Sequence, residues 1–233
     1  MENILEVKQL ISDSKSIYLV TSQEPEAITS TMALFYTLKD LGKNVNLVLE
    51  NLPENLKFLS PSLDFISYPK NFVISIPNSI AQISQIYYEK NDDALRVHLT
   101  LENGNIKKDN ISFYFSEKKP DLIITLGVQD YVKELSNKLD SFGFLLDSTI
   151  LNIDNNQDNK KFGKINLLGE QSLAEKIFDL SETINKESAI CLLTGIVLYT
   201  ENFKNKVTAD IFEKASKLMK QGADLKQIVE NIK

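Results

Sequence analysis

Thr149-Ile150-Leu151-Asn152-Ile153-Asp154-Asn155-Asn156, continued by Gln157-Asp158-Asn159-Lys160-Lys161-Phe162-Gly163-Lys164-Ile165-Asn166-Leu167-Leu168-Gly169, is the stretch on which the fold turns. Ile150, Leu151 and Ile153 form a short apolar run that stops at Asp154, after which the chain becomes polar. The pattern predicts a buried strand that delivers polar side chains at its C-terminal end, the place where open α/β sheets bind ligands. Asp154, Asn155 and Asn156 are therefore the first candidate site residues. The same residues also have a local reading. Asp154 can cap a turn or the next helix, and Asn155 and Asn156 can serve as loop residues that tolerate left-handed backbone angles.

Working outward, the N-terminal part builds a fold of the same kind. Residues 3–12 have helical spacing, and Ile17-Tyr18-Leu19-Val20-Thr21 is a continuous apolar strand. Pro25 suits the first turn of a helix over residues 27–41, which Gly42 stops. Asn44–Leu49 is a second apolar strand, so the segment is a βαβ unit with parallel strands. Asp121–Leu126 is another buried strand, ending at Gly127. Helices are expected over 129–139, 171–180, 187–199, 208–219 and 224–232. Between these halves, residues 71–116 alternate or run apolar around two hairpin turn signals, Asn91-Asp92-Asp93 and Asn103-Gly104-Asn105. They predict an antiparallel β insertion whose default role is an interaction surface or dimer contact.

Composition bounds the function. The 233 residues are 42% hydrophobic and 25% charged, which is a globular balance, with a net charge of −6. An acidic chain is poorly suited to non-specific nucleic-acid binding, which needs Lys and Arg to neutralise phosphates. The single cysteine, Cys191, allows no internal disulfide. No apolar run reaches the roughly 20 residues of a membrane span, and the acidic start lacks a basic signal-peptide region. The expectation is a cytoplasmic protein.

Four motif contexts resemble the DHH phosphoesterase family. The signature stretch is similar to the family's N-I-D-H-H loop followed by F-G-x-x-N-L, with Asn155 and Asn156 at the histidines. Ala33-Leu34-Phe35 and Leu38-Lys39-Asp40-Leu41-Gly42-Lys43 resemble the helix after the family's first metal motif. Asp121-Leu122-Ile123-Ile124 resembles its D-L-I-I strand, and Leu193-Thr194-Gly195-Ile196 its L-x-T-G-I helix. Counting from the helix places Glu24 and Glu26 at two aspartates. Counting from the strand places Ser22 at the histidine and Glu26 at the first aspartate. Gly127 stands at the metal-bridging aspartate and Tyr199 at the last one.

The resemblance implies an α/β domain over residues 1–233, a parallel Rossmann-like sheet flanked by helices with the β insertion at about 71–116. It further implies that the family's C-terminal substrate-clamping domain is absent. Two-metal hydrolysis needs several carboxylates to balance two Mn²⁺ or Mg²⁺ ions. Only Glu24, Glu26 and Asp154 remain, so the expectation is a catalytically inactive nucleotide-binding or protein-interaction module with no metal cofactor. The alternative is a residual metal-dependent phosphodiesterase or phosphatase, using Mn or Mg, that acts on short oligonucleotides, bisphosphorylated nucleotides or cyclic dinucleotides. The partners considered are a second copy, an active paralogue or a small nucleotide, and no membrane. Simpler readings stand beside the candidates. Glu24 and Glu26 complement a helix dipole, and His98 lies on the polar face of an inserted strand. Cys191 is a core residue, and Lys160, Lys161 and Lys164 form either a small phosphate-holding cluster or solvated surface.

Overall fold

In the computed structural model, residues 2–49, 52–60, 70–117, 120–134 and 148–232 are described. The chain divides into two compact units, one formed by Met1–Ser67 with Lys119–Lys233 and the other by Tyr68–Lys118.

The larger unit is built on five parallel strands. These are β1 (Ser16–Thr21), β2 (Asn44–Val48), β7 (Leu122–Leu126), β8 (Thr149–Ile153) and β9 (Ile165–Leu167), arranged β2-β1-β7-β8-β9. Parallel strands buried on both faces read as unbroken apolar runs, and β1 and β7 are buried along their whole length. Their alternate residues feed two cores. Ile17, Leu19, Leu122, Ile124, Leu126, Leu151 and Ile153 join the helix-packed core, while Tyr18, Val20 and Ile123 join a smaller cluster with Val128 and Tyr131. The chain runs from β1 outward to β2, then crosses back to β7 on the other side of β1. That reversal is a topological switch point at the strand C-terminal ends.

The helices are α1 (Glu2–Asp13), α2 (Pro25–Asp40), α3 (Leu173–Leu180), α4 (Lys186–Tyr199), α5 (Ala209–Lys220) and α6 (Leu225–Asn231). Pro25 occupies the first turn of α2. A capping box fixes the start of α3, with Ser172 and Glu175 exchanging side-chain bonds to each other's backbone N–H. Residues 131–134 are helical, and the rest of the helix expected over 129–139 lies outside the described residues. Strand β9 had no expectation of its own in the sequence. It has three residues with Asn166 at its centre, too short for a periodic signal.

The smaller unit contains β3 (Lys70–Ser75), β4 (Ala81–Lys90), β5 (Leu95–Gly104) and β6 (Ser112–Glu117). Asn91-Asp92-Asp93 is a hairpin turn, closed by the Ala94 N–H donating to Asn91 Oδ1 at 2.8 Å. The second turn signal misleads. Strand β5 continues through Gly104, and β6 pairs with β3, not with β5. Gly104 has φ +93°, and a Cβ there would lie 2.6 Å from Ala81 Cα, so its glycine serves a close backbone approach. Among the described residues, no helix is long and apolar enough to cross a membrane.

Candidate functional site

The switch point brings together the ends of β1, β7 and β8, and with them most of the candidate residues. Asp154 follows β8 and is only 2% exposed. Its Oδ1 accepts the backbone N–H groups of Asn155 (2.8 Å) and Asn156 (3.3 Å), and its Oδ2 accepts the Asn159 amide at 2.7 Å. Asn159 is tied in turn to Val128 O at 2.9 Å and to Asn152 Nδ2 at 2.7 Å. Asn152 lies wholly inside and also takes the Thr125 hydroxyl at 3.0 Å. Buried polar groups must find partners, and this run of amides finds them in one another. The signature loop is thereby fixed as a closed polar knot.

The left-handed reading of Asn155 and Asn156 is overturned. Among the described residues, the positive-φ residues other than glycine are Lys161, Glu201, Asn202, Phe203 and Lys206. Asp154 holds the two amides by accepting both of their N–H groups, which removes any need for a left-handed turn there.

Glu26, in the first turn of α2, points toward this loop. Its Oε1 accepts the Leu173 N–H at 2.6 Å, and the Asn155 amide donates to both carboxylate oxygens at 3.3–3.4 Å. Burial pushes the Glu26 carboxyl above the usual carboxylate range. The Leu173 and Asn155 hydrogen bonds, then the Lys206 and Lys176 charges, oppose that shift. Glu26, Asn155, Asn156, Gln157, Glu170, Tyr199 and Lys206 line one open polar cleft of about 510 Å³. Tyr199 donates its hydroxyl to Glu170 O at 2.8 Å, and the Lys206 ammonium lies 4.5 Å from the centre of the Tyr199 ring. Lys206 reaches that place through a left-handed turn, Glu201-Asn202-Phe203, in which the Glu201 and Asn202 N–H groups donate to Leu198 O and Val197 O and those of Phe203, Lys204 and Asn205 to Thr200.

Glu24 does not join Glu26. It stands at the N-cap of α2 without a side-chain cap bond, and it faces a neighbouring cleft of about 340 Å³ lined with Ser22, Gly127, Gln129 and Glu134. Ser22 lines the cleft of Glu24 and not that of Glu26, so neither way of counting the first motif brings its two residues into one cleft. Ser22 and Gly127 are neighbours, and there the space is closed. Gly127 has φ +66°, and a Cβ added to it would lie 2.8 Å from Ala27 Cβ and 2.9 Å from Ser22 Oγ. No side chain fits that position without movement of α2 or of the β7 end.

Another carboxylate near the strand ends, Glu175, is spent on the Ser172 cap. Beside it lies Lys176, buried, with its ammonium donating to Gly169 O (2.9 Å) and Gln171 O (3.1 Å). Burial lowers the Lys176 pKa, while the charges of Glu175, Glu26 and Asp154 pull it back up. A fixed cation thus already sits in the field of these acids. Among the described residues, no group of three His, Cys, Asp or Glu side chains is placed to hold a metal ion. Two divalent ions would need a bridging carboxylate where Gly127 is packed, and free oxygens on carboxylates that are already hydrogen-bonded. The residues present do not fit that pair.

The other candidates resolve simply. Cys191 is buried, which raises its thiol pKa well beyond the ordinary value. His98 is half-buried, stacked on Tyr87 with ring centres 4.5 Å apart. Lys160, Lys161 and Lys164 are exposed. The lysines that reach the site are Lys176 and Lys206, which sequence reasoning missed together with Gln157 and Glu170.

No family model matches the chain, and no curated protein matches it in sequence. Among solved structures, the fold is similar to that of an exopolyphosphatase-related protein from Bacteroides fragilis. The TM-score is 0.69 at 19% identity, covering 99% of this chain and 60% of that one. RecJ from Thermus thermophilus in complex with Mn²⁺ is also matched, with a TM-score of 0.40 at 11% identity over 100% of this chain and 36% of that one. The chain shares its α/β fold, a parallel sheet flanked by helices, with the Bacteroides protein. The chain spans 60% of the length of the Bacteroides protein.

Proposed function

We propose that this chain is a metal-independent binding module on a phosphoesterase-like scaffold, which takes a small nucleotide in the polar cleft without hydrolysing it. The observation that carries the reading is the packing at Gly127, where the carboxylate that would bridge two ions has no room. The hydrogen bonding supports it. Asp154, Glu26 and Glu175 each spend their charge on backbone N–H groups, with amide or hydroxyl donors beside them. Such carboxylates hold a loop in place, and releasing them to bind dications would leave buried N–H groups unpaired.

What the cleft offers is a set of amide donors and acceptors and one accessible cation, Lys206, beside the carboxylates of Glu26 and Glu170. Asn155, Asn156 and Gln157 present amides, which can pair with the edge of a base. Lys206 supplies positive charge for a phosphate at the rim. A cleft of about 510 Å³ is of the size that holds a small organic ligand.

The test has two arms. A nucleotide panel in a thermal-shift assay should raise the melting temperature, because a ligand that binds only the native state stabilises it. Calorimetric titration with Mn²⁺ should show no saturable heat, and a generic phosphodiester should not turn over. Hydrolysis that is abolished by Asp154→Ala would defeat the proposal in favour of a residual Mn- or Mg-dependent phosphodiesterase.

A further inference from the structure

Of the fifteen large hydrophobic residues that stand exposed among the described residues, eight belong to the unit over 68–118. Six of those lie on the β4–β5 hairpin. The register places Ile86 opposite Leu99 and Tyr88 opposite Val97. Leu95 and Leu101 share their face by alternation along β5. Ile86 is 69% exposed, Tyr88 73% and Leu95 63%. The opposite face carries Glu89, Arg96 and the stacked Tyr87–His98 pair.

Each of these strands is ten residues long and, among the described residues, is paired on one side only. An isolated two-stranded hairpin is marginal in water, and three or more strands are needed for independent stability. Proteins blunt such edges with proline, bulges, charged side chains or short length; β5 has no proline and runs ten residues, with Arg96 and Glu102 as its charges and an irregularity at Glu102. Its stretch Arg96-Val97-His98-Leu99-Thr100-Leu101-Glu102 matches itself in reverse. Laid antiparallel to a copy about a two-fold axis through Leu99, it sets Val97 against Leu101, Leu99 against Leu99 and His98 against Thr100. Arg96 then faces Glu102 on both sides of the axis. Over Arg96–Glu102 apolar residues meet apolar ones on one face and opposite charges meet on the other, while Leu95 meets Asn103.

We infer that a second copy of this chain pairs along β5, joining two hairpins into a four-stranded antiparallel sheet, β4-β5-β5-β4. A two-fold contact needs a surface complementary to itself. Reversed self-matching of side-chain type and charge is what a second copy brings to such a contact. The new seam gives every outward N–H and C=O of β5 a partner. It also places Val97, Leu99 and Leu101 of both copies in cross-strand contact, the pairs that stabilise sheets.

A charge swap tests the pairing. The full chain is followed by sedimentation velocity over a concentration series, with circular dichroism and thermal melting as controls for folding. The wild type is expected to dimerise with rising concentration. Glu102→Arg is the cleaner single change, because Glu102 falls at the register irregularity and has no β4 partner. It sets Arg against Arg and should weaken association at least tenfold. Arg96→Glu should do the same, and the double swap Arg96→Glu with Glu102→Arg should restore dimers by reversing both pairs. A wild type that stays monomeric at every concentration would overturn the inference, including the case in which the apolar face is covered by the rest of the same chain. So would dimers indifferent to the single reversals, or a double swap that fails to rescue. None of these outcomes depends on whether the cleft binds a nucleotide.

Discussion

Gly127→Ala is the sharpest probe of the strand-end site, because it adds a single methyl group at the position on which the functional reading rests. The cost has two parts. Gly127 sits at φ +66°, where a side chain costs about 1–2 kcal/mol. The new Cβ would stand 2.8 Å from Ala27 Cβ and 2.9 Å from Ser22 Oγ, well inside the roughly 3.5–4.0 Å of a favourable carbon contact. Ser22 can rotate its hydroxyl away, but Ala27 Cβ is fixed to the α2 backbone, so the helix or the β7 end must shift. Overpacking of this kind costs about 1–3 kcal/mol. A central total of about 3 kcal/mol corresponds to a fall in melting temperature of about 6–12 °C for a chain of this size.

A double-mutant cycle isolates the steric part. Ala27→Gly alone loses about 1 kcal/mol of helix propensity. Combined with Gly127→Ala it should recover part of the damage, with a favourable coupling of about 1–2 kcal/mol in urea denaturation. Gly127→Asp should be at least as costly as Gly127→Ala, and Mn²⁺ should not raise its melting temperature. The reasoning is refuted if Gly127→Ala is neutral, if the cycle shows no coupling, or if Gly127→Asp gains stability from Mn²⁺. Any of these would mean that the site is open to a carboxylate after all.

Three other perturbations reach different parts of the same unit. Asn152→Ala strips the centre from the buried amide knot and leaves the Thr125 hydroxyl without its acceptor. It should cost about 2–3 kcal/mol in urea denaturation, and a loss below about 0.5 kcal/mol would mean the knot is not a structural unit. Glu26 has a folded pKa raised first by burial, so the folded chain holds its proton where the unfolded chain has lost it. Its contribution is complete below the ordinary carboxylate pKa and fades as pH rises through the folded value. Glu26→Gln should flatten that part of the stability–pH curve, and an unchanged slope would assign the effect to another group. Glu201→Gly relieves a left-handed non-glycine position and should stabilise by about 0.5–1 kcal/mol net of glycine's entropy cost. A lower melting temperature would show that the turn does not store strain at Glu201.

The sheet was legible because each buried parallel strand writes itself as an apolar run ending in polar residues. Ile17–Thr21, Leu122–Leu126 and Ile150–Ile153 carry that signal plainly, and it located the site at their ends. Ile165–Leu167 does not, since three residues around Asn166 show no period. The nested pairing of β3 with β6 escaped a reading based on turn residues, because Gly104 answers to the backbone of Ile80 and Ala81 and not to a turn. At the site, residue type was visible but its use was not. An Asp at a strand end reads the same whether its oxygens face a metal or are held by Asn155, Asn156 and Asn159. Lys206 was invisible for another reason. Its place over Tyr199 depends on successive left-handed angles at Glu201, Asn202 and Phe203, residues that carry little sign of such a turn.

Those two hidden features bear on the same question of charge. A pair of divalent ions is held where negative charge exceeds the local donors, so that oxygen lone pairs are left over for coordination. Here the carboxylates nearest the signature loop have their oxygens engaged. Asp154 accepts three hydrogen bonds, and Glu26 accepts from Leu173 and Asn155. Lys176 adds a permanent charge behind them, and Lys206 adds another at the rim. Removing one donor would not restore a metal site, since the freed oxygen would still face the fixed ammonium of Lys176 and the closed wall at Gly127. The amides of the cleft suit an amide-bearing ligand, with any anionic group placed at Lys206 and away from Glu26 and Glu170. The packing at Gly127 and the engaged oxygens of Asp154 and Glu26 are the grounds on which binding without hydrolysis is proposed.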